Sequence, residues 1–193
     1  MARRIPSTAL LDACVLYPIA MTDALLSLAT AGFFAAKWTT FIEREWIAAL
    51  EEQRPDLTGR LDIRRDSMRE AIPDWEVPEA AWGRLTASLS LPDPADRHVL
   101  AAAIAGQADF IVTSNLRHFP ASVLGELGIE AIDPDNFVVS QWDLDPANAI
   151  SAFRRMRARR KSPSSGPREF ADALARGGLP ATAHRLLAVA DLI

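Results

Sequence analysis

Three carboxylates and a carboxamide stand out because each closes or flanks an element and lacks an obvious local task. Asp12 ends the apolar run 8–11, Glu45 lies beside the apolar stripe of a helix, Asp96 follows Asp93-Pro94 at a helix start, and Asn115 follows the apolar run 110–113. All four are hard oxygen donors. That choice suits Mg²⁺ or Mn²⁺ over zinc, and such ions keep waters that a substrate phosphate can displace. Acids brought together without a cation would repel one another and raise the pKa of at least one member. Each also has an ordinary reading. Asp12 can be a turn residue, while Asp93 and Asp96 at N-cap and N3 form a capping box that satisfies orphan amides.

The elements that must position these groups follow from pattern and punctuation. Residues 8–11 and 110–113 are short continuous apolar runs, as in strands covered on both faces. Residues 33–38 and 129–132 add two more strand candidates. Helices are expected over 23–31, closed by Gly32, over 41–52, over 56–71, over 79–89, and over 94–105 with Pro94 in the first turn and Gly106 as the stop. Thr40 and Glu43 read as the capping box of the second helix, which leaves Glu45 free to face inward beside Ile42 and Ala49. In the third, Leu57, Leu61 and Met68 face inward, and Arg60, Arg64, Arg65 and Arg69 form a basic flank, either solvated or facing phosphate. Residues 133–136, Asp-Pro-Asp-Asn, read as a turn. Strands alternating with helices imply a mostly parallel sheet covered on both faces, and such sheets place their sites at the carboxyl ends of the strands.

The blocks PDPADRHVLAAAI and ADFIVTSNLRHFP, preceded by LLDACVLYP and KWTTFIEREW and followed by IDPDNFV, resemble the PIN-domain nucleases, specifically the VapC-like toxins with a C-terminal extension. The resemblance spans roughly residues 8–140 in colinear order. It implies a three-layer α/β/α fold with a mostly parallel central sheet, in which residues 1–140 form the nuclease domain and 141–193 a C-terminal helical extension. It also implies an endoribonuclease that hydrolyses phosphodiesters with a water activated by Mg²⁺ or Mn²⁺. Asp12 matches the acid after the first strand, Glu45 the acid before Trp46, and Asp96 the acid five residues before Ala101; these are the expected catalytic and metal-binding residues. Asn115 matches a fourth metal position often held by aspartate, and Asp93 is an auxiliary acid. Thr113 and Ser114 would orient the cluster. Where relatives carry arginine before Asp23, this chain has Thr22. Expected partners are RNA, a cognate antitoxin and a second copy of the chain as homodimer, with no membrane. The other reading is a PIN-fold RNA-binding or interaction module without catalysis.

Composition narrows the alternatives. A hydrophobic content of 49% over 193 residues implies a well-buried core. The loop after Leu11, DACVLYP, has no glycine to admit a pyrophosphate; GK(S/T) and GxSxG are missing too. The lone Cys14 excludes an internal disulfide, and His98, His118 and His184 read as helix or turn residues. No apolar run is long enough for a membrane span, and the first residues lack the apolar core of a signal peptide, so the expected compartment is the cytoplasm. Residues 133–193 carry 9 Lys and Arg against 7 Asp and Glu, leaving 12 against 18 for the remainder, which concentrates acidity around the candidate site. In the extension, a helix over 145–161 ends in the basic run RRMRARRK, read either as a solvated helix end or as a nucleic-acid contact. SPSSGP is a linker, and helices over 168–175 and 181–190 finish the chain. Their leucines need a surface: the main domain is the expected one, and a groove for a partner helix is the other reading.

Overall fold

The computed structural model describes residues 6–160 and 166–193. In chain order the first half is β1 (Ser7–Leu11), α1 (Ala13–Leu16), α2 (Ile19–Thr30), β2 (Phe34–Lys37), α3 (Thr40–Gln53), α4 (Asp62–Ala71), α5 (Glu79–Trp82) and α6 (Arg97–Ala105). The second half is β3 (Phe110–Val112), α7 (Ala121–Leu124), β4 (Glu130–Ile132), α8 (Pro134–Leu144), α9 (Pro146–Arg159), α10 (Pro167–Arg176) and α11 (Pro180–Ala188). Four strands pair in the order β2-β1-β3-β4, every pair parallel.

Short, continuously apolar strands are what a sheet buried on both faces demands. Ala9, Leu10, Leu11, Ile111 and Val112 are all solvent-inaccessible. On one face Phe137 of α8 meets Phe34 of β2 edge-on at 4.8 Å and Phe110 of β3 at 5.5 Å. Because Phe34 pairs in register with Ser7, and Phe110 with Ala9 two residues on, both rings project from that same face. α6, with α5 outside it, covers β1 and β3 from the opposite side. The result is the expected three-layer α/β/α arrangement.

Several local expectations change on contact with the structure. The cap of α3 is Thr39, not Thr40: its hydroxyl accepts the Ile42 amide at 3.1 Å. Glu43 therefore has no capping role, and it lies in the core, 2% exposed, between Arg69 and the Trp38 indole N–H. Of the expected basic flank of 56–71, Arg60 is exposed as a solvated face would have it, whereas Arg64 and Arg69 are structural. Arg64 donates to Leu16 and Tyr17 carbonyls and the Thr22 hydroxyl while lying over the Trp46 ring, and Arg65 pairs with Asp62 and Asp66. That segment is a 3-10 turn, Pro55–Leu57, followed by α4, and 79–89 similarly divides into α5 and the turn Thr86–Ser88. The expected helix at 94–105 starts with a 3-10 turn, Pro94–Asp96, and that at 23–31 starts four residues earlier. Residues 133–136 are not a free turn but the start of α8, where Asp133 caps the Asp135 and Asn136 amides.

The tail docks on the main domain. Leu174, Leu179 and Leu186 are fully buried, whereas Leu187 and Leu192 remain exposed. Asp135 of α8, itself buried, accepts the Ala181 and Thr182 amides at 2.6 and 2.9 Å and the Thr182 hydroxyl at 2.7 Å, so a residue of one layer caps a helix of the next. At the α10–α11 turn a Cβ on Gly178, whose φ is +93°, would lie 2.7 Å from Met21 Cε of α2. The left-handed φ is what favours glycine here, since the Met21 tip is the free end of a flexible side chain. Of the basic run, Arg159 donates to Asp23 at 2.7 Å and to Ser27, Arg155 bonds Ser151, and Arg160 lies over Phe170. Lys161 and the linker residues 162–165 lie outside the described residues.

Candidate active site

The chain runs from β1 outward to β2 on one side and returns to β3 on the other, so the sheet order reverses beside β1. Open α/β sheets form a crevice at such a point, at the carboxyl ends of the strands. Leu11 pairs with Val112, and the ladder continues as the Asp12 amide donates to the Val112 carbonyl at 3.2 Å. This register sets Asp12 beside the segment Thr113-Ser114-Asn115.

Asp12 is 5% exposed and firmly held. One oxygen accepts the Ala13 amide at 2.7 Å; the other accepts the Thr113 hydroxyl at 2.6 Å and the Cys14 thiol at 3.2 Å. The fully buried Thr113 hydroxyl also accepts the Asn115 amide at 3.0 Å, linking two predicted site residues through one oxygen. Ser114 contributes its amide to Cys14 Sγ at 3.3 Å. Burial, reinforced by the Asp12 charge, pushes the Cys14 thiol up to about 11, so it stays a neutral donor rather than a nucleophile.

Glu45 comes from the second turn of α3, where it is partly exposed and bonded to His98 Nε2 at 3.2 Å. Asp96 precedes α6. Its side chain does not complete a capping box with Asp93; it turns instead to His118 Nδ1 at 2.6 Å, while Asp93 alone caps the Ala95 amide. Arg117 Nε donates to His118 Nε2 at 3.1 Å, which leaves the ring proton on Nδ1, pointing at Asp96. Burial raises the Asp96 pKa above its ordinary value; the His118 hydrogen bond opposes this, and the Asp12 and Asp93 charges add to it.

Asp12, Glu45, Asp96 and Asn115 all line one cavity of about 460 Å³, flanked by Tyr17 and Trp46. Asp93 stands one step outside, in a group with Asp96 and His118 whose ligand-capable atoms lie within 4.8 Å of one another. Chemically, the charged donors of the cavity are carboxylates, with the Cys14 thiol in the wall and imidazoles bonded to Glu45 and Asp96. With Cys14 held neutral it offers no activated nucleophile, and its carboxylates suit a hard divalent cation, the charge of which would favour the ionised form of Asp96 that burial disfavours. His98 and His118 are the functional candidates that sequence reasoning missed. Their partners lie 53 and 22 residues away, and no local pattern marks such pairs.

The PIN domain family model matches residues 8–117, and a second model, VapC50 C-terminal domain, matches residues 134–188. A protein of Mycobacterium tuberculosis named "Putative ribonuclease VapC50" is 53% identical over 49 residues, which is 25% of this chain and 29% of that protein. No solved structure matches.

Proposed function

The chain belongs to the PIN-domain family, in its VapC-like branch with a C-terminal extension, and we propose that it is a metal-dependent endoribonuclease acting as the toxin of a toxin–antitoxin pair. The observation that carries this reading is the convergence of Asp12, Glu45, Asp96 and Asn115 on one cavity at the carboxyl edge of the sheet. Those four would hold Mg²⁺ or Mn²⁺, with Asp93 close by. When bound, the ion supplies charge neutralisation at the reacting phosphate and activation of water.

The chain's own groups do the positioning. Thr113 fixes the carboxylate plane of Asp12 and, through the Asn115 amide, the loop that carries Asn115. His118, its tautomer set by Arg117, holds Asp96 by one N–H bond, and His98 holds Glu45 by another. Such outer contacts orient ligands before an ion arrives. Asn115 in place of a fourth acid lowers the negative charge by one, which favours a single ion over two. The position before Asp23 gives no phosphate contact, because Thr22 is buried and accepts from Arg64.

We assign residues 1–140 to the nuclease domain and 141–193 to the extension. The division falls inside α8, whose Phe137 belongs to the sheet face and whose Trp142 packs on Phe153 of α9 at 5.5 Å. The partners that this reading requires are RNA and an antitoxin, and we include a homodimer among its assemblies. An antitoxin arginine entering the cavity would pair with Asp12, Glu45 or Asp96 and take the place of the cation. No helix among the described residues is long and apolar enough to cross a membrane. The cytoplasm is the compartment in which we place it.

Expression of the parent and of Asp96→Asn, followed by mapping of new RNA ends, tests the reading. Growth arrest and discrete cuts with the parent alone are expected. Arrest by both, with no new RNA ends, would overturn it.

A further inference from the structure

Beside the carboxylate pocket, on the far side of His98, lies a second cavity of about 470 Å³ lined by Phe41, Trp82, His98, Arg97 and Glu79. Phe41 is 37% exposed although large and aromatic. Its ring centroid lies 4.4 Å from that of His98 and 6.4 Å from that of Trp82, and the Arg44 guanidinium sits over it at 5.2 Å. Phe41 is therefore the exposed member of a three-ring cluster, backed by the buried Trp82 and His98, with Arg44 against its ring and Arg97 and Glu79 also lining the cavity. Two polar nitrogens of the lining residues, Arg97 Nε and His98 Nδ1, have no hydrogen-bond partner among the described residues, and both are shielded from solvent in this conformation. His98 Nε2 is already committed to Glu45, so its Nδ1 is left as an acceptor, and Arg97 Nε is a donor. Buried polar atoms without partners are uncommon in native structures and call for a ligand or another explanation.

We propose that this cavity receives one unstacked nucleobase of a single-stranded RNA whose phosphate lies at the Asp12–Glu45–Asp96 cluster. The proposal rests on the ribonuclease reading and adds a base-recognition site to it. The exposed Phe41 ring can stack on the π-face that every base has, and a side-chain shift that uncovers Arg97 Nε or His98 Nδ1 would give the base's polar edge a donor or an acceptor. Position supports the same occupant. Phe41 and Glu45 are four residues apart on one face of α3, about 6 Å along the axis, and His98 touches both. A nucleotide with its phosphate near Glu45 thus has its base, or its neighbour's, within reach of the Phe41 ring. Charge argues in the same direction. With a net charge of −4 the protein has little general attraction for a polyanion, so stacking must supply part of the grip.

The test uses full-length protein and a labelled single-stranded oligoribonucleotide in Ca²⁺ buffer, with affinity read by fluorescence anisotropy. A series of oligomers carries one abasic nucleotide walked along the chain. The parent is expected to lose about 5- to 150-fold in affinity at one abasic position. Phe41→Ala should lose the same factor on intact RNA and nothing further on that abasic oligomer, and Phe41→Tyr should stay near the parent. An unchanged melting temperature of Phe41→Ala checks that the fold is intact. If Phe41→Ala binds intact RNA like the parent, or its loss simply multiplies with that of every abasic position, the base site is wrong while the ribonuclease reading stands. A parent that binds no RNA at all overturns both.

Discussion

Asp96 illustrates how a single side chain can be readable in sequence and still misjudged. Its place two residues after Pro94 marks it as an acid at a helix start, which suggests a capping box, yet its oxygen bonds His118 rather than the Asp93 amide. Asp12, Glu45 and Asn115 were legible because each stands at a strand end or beside an apolar stripe. His98 and His118 were not, since what makes them relevant is tertiary proximity. Burial, then the neighbouring Asp12 and Asp93 charges, raises the Asp96 pKa in the folded, metal-free protein. A carboxyl raised on folding binds its proton more tightly in the native state, so its stabilising contribution is present at low pH and is lost as pH rises through the raised value. Metal-free Asp96→Asn lacks that loss. Thermal melts in EDTA should therefore show the parent losing stability relative to Asp96→Asn as pH climbs from about 4 to 7. A parent that gains on the variant over that range would contradict a raised Asp96 pKa.

At the scale of elements, type was far easier to read than boundary or role. The apolar runs at 8–11 and 110–113 became adjacent parallel strands because continuous burial leaves few other places for them. Arg64 and Arg69 of α4 proved structural rather than solvated or phosphate-facing, because a basic face gives no sign, in one sequence, of what lies opposite. Arg69 pairs with Glu43 and lies over Trp75 at 4.7 Å, so it joins α4 to α3 through a nearly inaccessible carboxylate. Breaking such a pair leaves a buried charge without its partner. Arg69→Ala is expected to cost about 3 kcal/mol in urea unfolding, reduced from the upper range because the arginine itself is one-third exposed. A cost below about 0.5 kcal/mol, typical of surface changes, would show that Glu43 is adequately held by the Trp38 indole alone.

For the whole molecule, alternation of strands and helices was enough to give the layers, and the buried leucines of the tail agree with the expectation that it covers the main domain. What sequence did not reveal was how the tail is fastened. Asp133-Pro134-Asp135 looked like a turn, whereas Asp135 caps α11 across 46 residues and Gly178 admits Met21. Truncation after Leu144 removes that cover from α2 and α8, and the shortened chain should fail to melt cooperatively; a shortened chain with a sharp transition near the parent's would make the extension an independent appendage. The claim on which the rest depends is that the pocket of Asp12, Glu45, Asp96 and Asn115 cuts RNA with the help of a divalent cation. Its most direct measurement is cleavage of single-stranded RNA by purified parent and Asp96→Asn, first in EDTA and then after addition of excess Mn²⁺. The parent should be silent in EDTA and active with Mn²⁺, and Asp96→Asn should be at least about 100-fold slower than the parent with Mn²⁺. Cleavage by the parent that persists in EDTA, or equal cleavage by the variant, would contradict it.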